Sequence, residues 1–287
     1  MTRLHPRRVT VARVEVRSLG FRTDVMVRRL AGSVVADGGT HLIVRTSCNP
    51  TYYWGNFLLF PSAPQRGEAE RWLTLFAREF PAAGHVAIGI DGPAGELGEI
   101  AGLCAAGLSP EVETVMTAAV LRAPARLNRD AEFRRLGEGD WGQVLALRRA
   151  IAWEEGLGST EHSVFLERRT DEARQLNGSG HAAYFGAFVD GVLRSWLGLV
   201  TDGAGLGRFQ HVETHPDHRR RGLASTLVHR AGSYGARQLG ASKLVIVADP
   251  DGPALGIYRS LGFVEVERQA QLTRVMRSSP DGAHGGA

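Results

Sequence analysis

Cysteine is nearly absent. Cys48 and Cys104 are the only two. They form no C-x-x-C pair, so a disulfide framework and a four-cysteine zinc site are excluded, and a two-cysteine, two-histidine finger lacks its close cysteine spacing. No metal site is expected. Lysine is scarcer still: Lys243 stands alone among 34 basic residues, the other 33 being arginine. Together with 36 glycines and many alanines, this is the mark of GC-rich coding. Arginine abundance is therefore weak evidence for nucleic-acid binding. A net charge of +4 over 287 residues is a mild bias, and the basic residues are not interleaved with aromatics in one stretch. No apolar run reaches 18 residues, so no membrane span is expected. The basic start Met1–Arg8 lacks the apolar stretch of a signal peptide. The expectation is a cytoplasmic protein with neither a membrane nor a nucleic-acid partner. The phosphate-binding patterns G-x-x-x-x-G-K-[ST] and G-x-G-x-x-G are missing as well.

What is present is globular: 43% hydrophobic and 22% charged residues, enough for one large domain or two ordinary ones. Residues 1–10 and 278–287 read as tails without periodicity. Arg122–Asp130 is Pro/Ala/Arg-rich and patternless, dividing the chain into similar halves. In the second half the patterns predict a strand at Glu132–Leu136 and helices over Trp141–Trp153 and Glu161–Leu176. Strands follow at Ala182–Val189, Val192–Val200 and Gly207–Thr214, with Asp190-Gly191 as a hairpin turn. A helix is expected over Arg221–Leu239, a buried strand at Leu244–Ala248 and a short helix at Ala254–Leu261 with Gly262 behind it. Two last strands are expected, at Val264–Glu267 and Leu272–Met276.

The first half repeats part of this order. Strands are predicted at Arg45–Pro50 and Trp54–Phe60, and an amphipathic helix at Glu70–Phe80. His85–Asp91 matches Leu244–Asp249, and Ile100–Gly107 followed by Leu108–Val115 matches Ile257–Gly262 followed by Phe263–Glu267. The offset is 158 at the strand end (249 − 91) and 155 at the glycine (262 − 107). A period of that size means two copies of one domain.

The stretch that carries chemistry is Val212-Glu-Thr-His-Pro-Asp-His-Arg-Arg-Arg-Gly-Leu-Ala224, running from strand through turn into helix. A helix N-terminus favours negative charge, yet Arg219, Arg220 and Arg221 are expected to open this helix. An anion such as pyrophosphate would resolve the conflict, taking the free N–H groups and the guanidinium charge together. Gly222 and Ala224 would let it approach the backbone. The competing reading is a solvated basic turn.

Arg219-x-x-Gly222-x-Ala224 after a strand resembles the R/Q-x-x-G-x-G/A signature of the GNAT superfamily of N-acetyltransferases. Ala254-Leu-Gly-Ile-Tyr-Arg-Ser-Leu-Gly-Phe263 resembles that family's A-x-x-x-Y-x-x-x-G-F segment. The resemblance covers about the last 150 residues. The whole chain further resembles bacterial tandem-GNAT proteins, which carry a Pro-x-x-x-Trp-Gly-Asn segment like Pro50–Asn56 in the first copy. The implied fold class is α/β (α+β by some schemes): two GNAT-like domains, 10–122 degenerate and 130–277 catalytic, each a mixed, mostly antiparallel sheet flanked by helices.

The resemblance also implies acetyl-CoA as acyl donor. Its pantetheine arm would lie on the backbone of a splayed strand ending Val212-Glu213-Thr214. Its pyrophosphate would sit on the N–H groups of Arg220, Arg221, Gly222, Leu223, Ala224 and Ser225, beside Arg219. The family usually has Asn seven residues before the tyrosine; Asp251 stands there. The implied reaction is acetyl transfer to a primary amine of a small molecule or peptide by direct attack in a ternary complex. Tyr258 would protonate the departing thiolate, its phenol titrating near ~10. Glu213 is the first choice of general base, with His211, His215, Asp249 and Tyr184 as further candidates. His211 and Glu213 share a face in a regular strand, and a bulge would separate them.

At the equivalent place in the first copy, Glu68 and Glu70 occupy the helix start and would repel a pyrophosphate, while Leu103 takes the tyrosine position. That copy is expected to be catalytically silent. Tyr52-Tyr53-Trp54 reads either as an acceptor-pocket lining or as core between the copies. A non-catalytic acyl-CoA sensor and a mycothiol-synthase-like acyltransferase are the alternative readings.

Overall fold

The computed structural model describes residues 14–275. The expected tails, and Met276 of the last expected strand, lie outside the described residues.

The first half opens with a helix, α1 (Leu19–Leu30), for which the sequence patterns gave no expectation. Carboxylates from elsewhere hold its start. Asp91 accepts from the N–H groups of Arg17 and Ser18 at 2.7 and 2.9 Å, and Glu267 accepts from that of Leu19 at 2.6 Å. They complement the positive end of the helix. β1 (Val34–Asp37) and β2 (Leu42–Arg45) form a hairpin. The strand expected at Arg45–Pro50 is thus corrected: β2 stops where that strand was to begin. Asn56 is the cause. Its side chain accepts from the N–H of Thr46 at 3.0 Å and donates to the carbonyls of Asn49 and Tyr52, both at 2.9 Å, locking residues 46–55 into turns. Tyr53–Gly55 is accordingly a 3-10 turn and only Phe57–Phe60 is strand, β3. α2 (Ala69–Glu79) buries Trp72 and Phe76, four residues apart, on one face, and Trp72 stacks on Phe60 at 3.8 Å. β4 (His85–Ile90), α3 (Ala101–Ala105) and β5 (Ser109–Ala118) complete this half.

The second half follows its expected pattern to within a residue or two through β6 (Glu132–Arg135), α4 (Trp141–Glu154), α5 (Thr160–Gly178), β7 (Ala182–Val189), β8 (Val192–Thr201) and β9 (Leu206–Thr214). α6 (Leu223–Gln238), β10 (Lys243–Ala248) and α7 (Ala254–Ser260) come next. The last two expected strands are one, β11 (Val264–Val275), with a register shift between Glu265 and Glu267 against β5. The charged residues Glu265, Glu267 and Arg268 look like a break in sequence, but a bulge absorbs the irregularity and the ladder continues.

The eleven strands of the described residues form one sheet in the order β1-β2-β3-β4-β11-β5-β10-β9-β8-β7-β6. Every neighbouring pair is antiparallel except β3–β4 and β9–β10. Each half thus has one parallel pair, followed by a short helix and a left-handed glycine, Gly107 at φ 86° and Gly262 at φ 95°. The final strands are exchanged: β11 lies between β4 and β5, and β5 lies between β11 and β10. The halves share a central antiparallel ladder running from Val264↔Thr117 to Thr273↔Ser109. Phe209, Leu223, Leu227, Tyr258 and Phe263 pack together on one face under α6 and α7. Trp141, Tyr184 and Trp196 pack on the other under α4 and α5, where α1 joins them through Val27. Among the described residues no helix is long and apolar enough to cross a membrane.

Candidate active site

β9 is regular until Gln210. Gln210 pairs with Gly198 and Glu213 with Trp196, so His211 and Val212 together face Leu197 alone. This is a β-bulge, and His211 takes the left-handed φ of 54° it requires. The parallel ladder to β10 covers only Leu206–Arg208 against Lys243–Val245. Beyond it the strands separate, while β10 stays paired with β5 through Ala248. A cavity of about 330 Å3 opens between them, lined by Phe209, Val212, Ile246, Asp249 and Tyr258 among others. Over this stretch the facing backbone edges have no ladder partner, which equips them to bond an extended amide-bearing chain. The matching pair in the first half does not separate. β3 and β4 stay in register to Phe60↔Ile90, and the Asp91 N–H still reaches the Phe60 carbonyl at 2.8 Å.

After β9 comes a 3-10 turn, Pro216–His218, and then the three arginines. They do not open the helix as expected. Arg219 is extended, Arg220 is left-handed at φ 61°, and Gly222, left-handed at φ 76°, caps a helix that begins at Leu223. Two left-handed residues in this run break the helix before it can include the arginines. They also turn successive N–H groups toward one side, as in an anion nest. Among the described residues no acceptor bonds the N–H groups from Arg220 to Ser225; the first bonded one is that of Thr226, to the Gly222 carbonyl. Arg219 pairs with Glu154 at the end of α4, 2.8 Å away. In the first half the helix start is filled by the chain itself. Glu68 accepts from the Gln65 N–H at 2.8 Å and pairs with Arg71, and these contacts hold its carboxyl below the usual range.

Sequence reasoning missed what braces this nest. Asn128, in the patternless connection between the halves, donates from its side chain to the Arg221 carbonyl at 2.8 Å. Its N–H reaches Thr226 Oγ1 at 3.1 Å. A Cβ on Gly222 would lie 3.3 Å from the Arg126 carbonyl. The connection therefore packs directly behind the loop.

A cleft of about 830 Å3 joins the nest to the strand gap. It brings together Val212, Glu213, Thr214, Arg219, Arg220, Gly222, Leu223, Ala224, Ser225 and Tyr258. Arg221 and Asp251 do not line it. Arg221 contributes the carbonyl that Asn128 holds, and Asp251 is exposed on the loop after β10, its N–H donated to Asp249 Oδ1 at 2.9 Å. Tyr258 is 5% exposed and meets Phe263 edge-on at 6.0 Å. Burial pushes its phenol up to about 12, so it keeps its proton across the neutral range. Tyr184, a further base candidate, is 1% exposed between Trp141 and Trp196, away from the cleft.

Glu213 sits across from Trp196, whose indole N–H donates to Oε2 at 2.8 Å; Arg148 Nε is 3.4 Å from the same oxygen. His211 stacks flat on Trp196 at 5.0 Å. Its Nε2 lies 3.2 Å from Arg169 Nη2. A guanidinium only donates, so Nε2 accepts and Nδ1 carries the proton. Burial, then Arg148, Arg169 and Arg28, depress the imidazole well below its ordinary value. The lone pair a base would need is engaged. Arg169 pairs with Glu172, which takes two further hydrogen bonds, at 2.9 and 3.0 Å, from Arg28 of α1. Tyr52 lies beneath both cations, at 5.0 Å from Arg28 and 4.2 Å from Arg169. The first half thus reaches the bulged strand through Arg28, which the sequence did not mark, and Tyr52, which it offered as pocket lining or as core between the copies.

Residues 149–263 match the model of the acetyltransferase (GNAT) family. A stretch of 141 residues is 28% identical to the mycothiol acetyltransferase of Mycolicibacterium vanbaalenii, covering 49% of this chain and 46% of that protein. The chain therefore spans about half the length of the curated relative it matches. Among solved structures, a GCN5-related N-acetyltransferase from Kribbella flavida superposes with a TM-score of 0.61 at 16% identity, over 92% of this chain and 97% of that one. A tandem GNAT protein from the clavulanic acid biosynthesis pathway gives 0.54 at 17% identity, over 88% of each. These likenesses establish the fold: a GNAT-like mixed sheet flanked by helices, resembling the tandem form.

Proposed function

We propose that this chain is an acyl-CoA-dependent N-acyltransferase, moving an acetyl group from acetyl-CoA to a primary amine by direct attack in a ternary complex. The observation that carries the reading is the junction of three features in one cleft: an open N–H nest, a gap between parallel strands, and Glu213 and Tyr258 at that gap. The nest and its arginines suit a pyrophosphate. The free strand edges suit the amides of a pantetheine arm.

The reaction forms a bond from nitrogen to the thioester carbonyl and breaks the carbon–sulfur bond. The attacking amine loses a proton to Glu213, directly or through a water. Trp196 and Arg148 hold that carboxylate in place. The departing sulfur gains a proton from Tyr258, which holds one at any neutral pH. His211 is left with the structural task of fixing the bulge. A cytoplasmic setting suits this reading.

We further read the chain as two GNAT-like copies, 10–122 and 130–277, which exchange their last strands. The first copy has no strand gap, its own Glu68 at the helix start and a buried Leu103 in the tyrosine position, all of which support a catalytically silent role. The test is thiol release from acetyl-CoA with a panel of amines, alongside calorimetry of CoA binding. Turnover with one donor site per chain is expected. Binding without turnover of any amine would favour the sensor reading.

A further inference from the structure

A cavity of about 310 Å3 lies where the halves meet, on the side of the sheet that carries Glu213. Gln210 lines it. Gln210 and Glu213 face Gly198 and Trp196, two residues apart on β8, so the two side chains share a face. The cavity therefore begins at the point where β9 leaves β10, beside the cleft.

Its charge is unbalanced. Asp24 of α1 is satisfied, with Arg208 at 2.9 Å and the Gln269 amide at 2.9 Å. Arg28, the other cation in the wall, is committed to Glu172. Among the described residues Glu111 has only an amide N–H from Gln271, at 3.1 Å. Glu113 has neither ion pair nor hydrogen bond among the described residues; burial, then Asp24, pushes its carboxyl up to about 7 against the weaker pull of Arg208. Independently of these acids, Gln269 is 3% exposed and lines the cavity, and its Oε1 has no donor among the described residues. One buried donor, Arg208 Nε–H, is also unpaired, on a guanidinium otherwise spent on α1. The unspent groups are thus mainly acceptors, two of them carboxyls. An ammonium, with one positive charge and three donors, is the complement to such a set. Trp54 on the wall offers an aromatic surface for a cation or its alkyl chain.

We propose that this cavity recognises a second, non-reacting ammonium group of the acceptor, held by Glu111, Glu113 and Gln269, while the reacting amine is presented at Glu213. The acceptor class is a diamine, linear or carried on a ring. This rests on the reading of the adjoining cleft as an acyl-transfer site.

The test compares kcat/KM in the thiol-release assay for 1,5-diaminopentane against pentylamine, and for 2-deoxystreptamine against cyclohexylamine. A charge-assisted contact of ~1.5–3 kcal/mol predicts a preference of about tenfold or more for at least one diamine. Glu113→Gln should reduce that preference to within about threefold. Calorimetric titration of the same diamine onto wild type and variant supplies a readout independent of turnover. Equal use of diamine and monoamine by wild type, or a preference that survives in Glu113→Gln, overturns the proposal. Saturable diamine binding that Glu113→Gln abolishes, with no amine turned over, supports the cavity and overturns the acyl-transfer reading instead. A thermal melt of the variant confirms that it is folded.

Discussion

Glu113 also makes a prediction about stability that needs no substrate. Its carboxyl faces Asp24 on α1, Glu111 on its own strand, Asp249 after β10 and, as the one favourable charge, Arg208 on β9; Gln269 stands opposite it on β11. Burial and these neighbours raise its pKa from an ordinary 4.5 to about 7. In the unfolded chain the proton leaves near the ordinary value. Between the two the native state binds more protons, so this group's contribution to stability falls as pH rises from 4.5 to 7 and is flat above. At ~1.4 kcal/mol per pH unit, the cost of keeping an ionised Glu113 at pH 8 is at most about 3 kcal/mol. Glu113→Gln keeps the shape and never ionises. It should be about 1–3 kcal/mol more stable than wild type at pH 8 and nearly equal to it at pH 4.5. Urea unfolding of both proteins at pH 4.5, 6, 7 and 8 measures the difference, in which other titrating groups largely cancel. A difference that does not change with pH, or a variant less stable at pH 8, would refute the placement of an uncompensated carboxyl in this cavity.

Other variants test other parts of the site. Tyr258→Phe should lower turnover by about 10²-fold, the low end for an acid because a thiolate leaves readily, with the donor dissociation constant unchanged by calorimetry. Gly222→Glu should abolish donor binding in a protein whose circular dichroism remains native, since charge and side chain would enter the nest at a left-handed position. Arg28→Met should leave Glu172 with one cation instead of two and destabilise the fold by about 3 kcal/mol, read as a fall in melting temperature that Arg28→Lys partly restores. The same variant should lower kcat without changing KM for acetyl-CoA, because the loss acts through Arg169 and His211 on the bulged strand.

The second half was legible because its strands are long apolar runs, its turns carry Asp-Gly or Gly, and its signature residues are contiguous. Val212 to Ser225 are neighbours in the chain, so their spacing already describes a strand, a turn and a helix start. α1 was not legible. It carries Arg28 on the face it buries, a charge whose reason lies 144 residues away in Glu172. Asn128 was invisible for a similar reason: in sequence it is one polar residue in a linker, and its role exists only against the Arg221 carbonyl. The exchange of β5 and β11 leaves no local trace, because an amphipathic strand pairs equally well with either parallel unit.

That exchange has a consequence during synthesis. β5 leaves the ribosome long before its two neighbours, β10 and β11, have been made. Until β11 arrives, β4 keeps an open edge and the nascent first half presents ready-made pairing surfaces to other chains. Closure of both halves is a single late event, and a chain cut short before β11 would leave the first half unfinished.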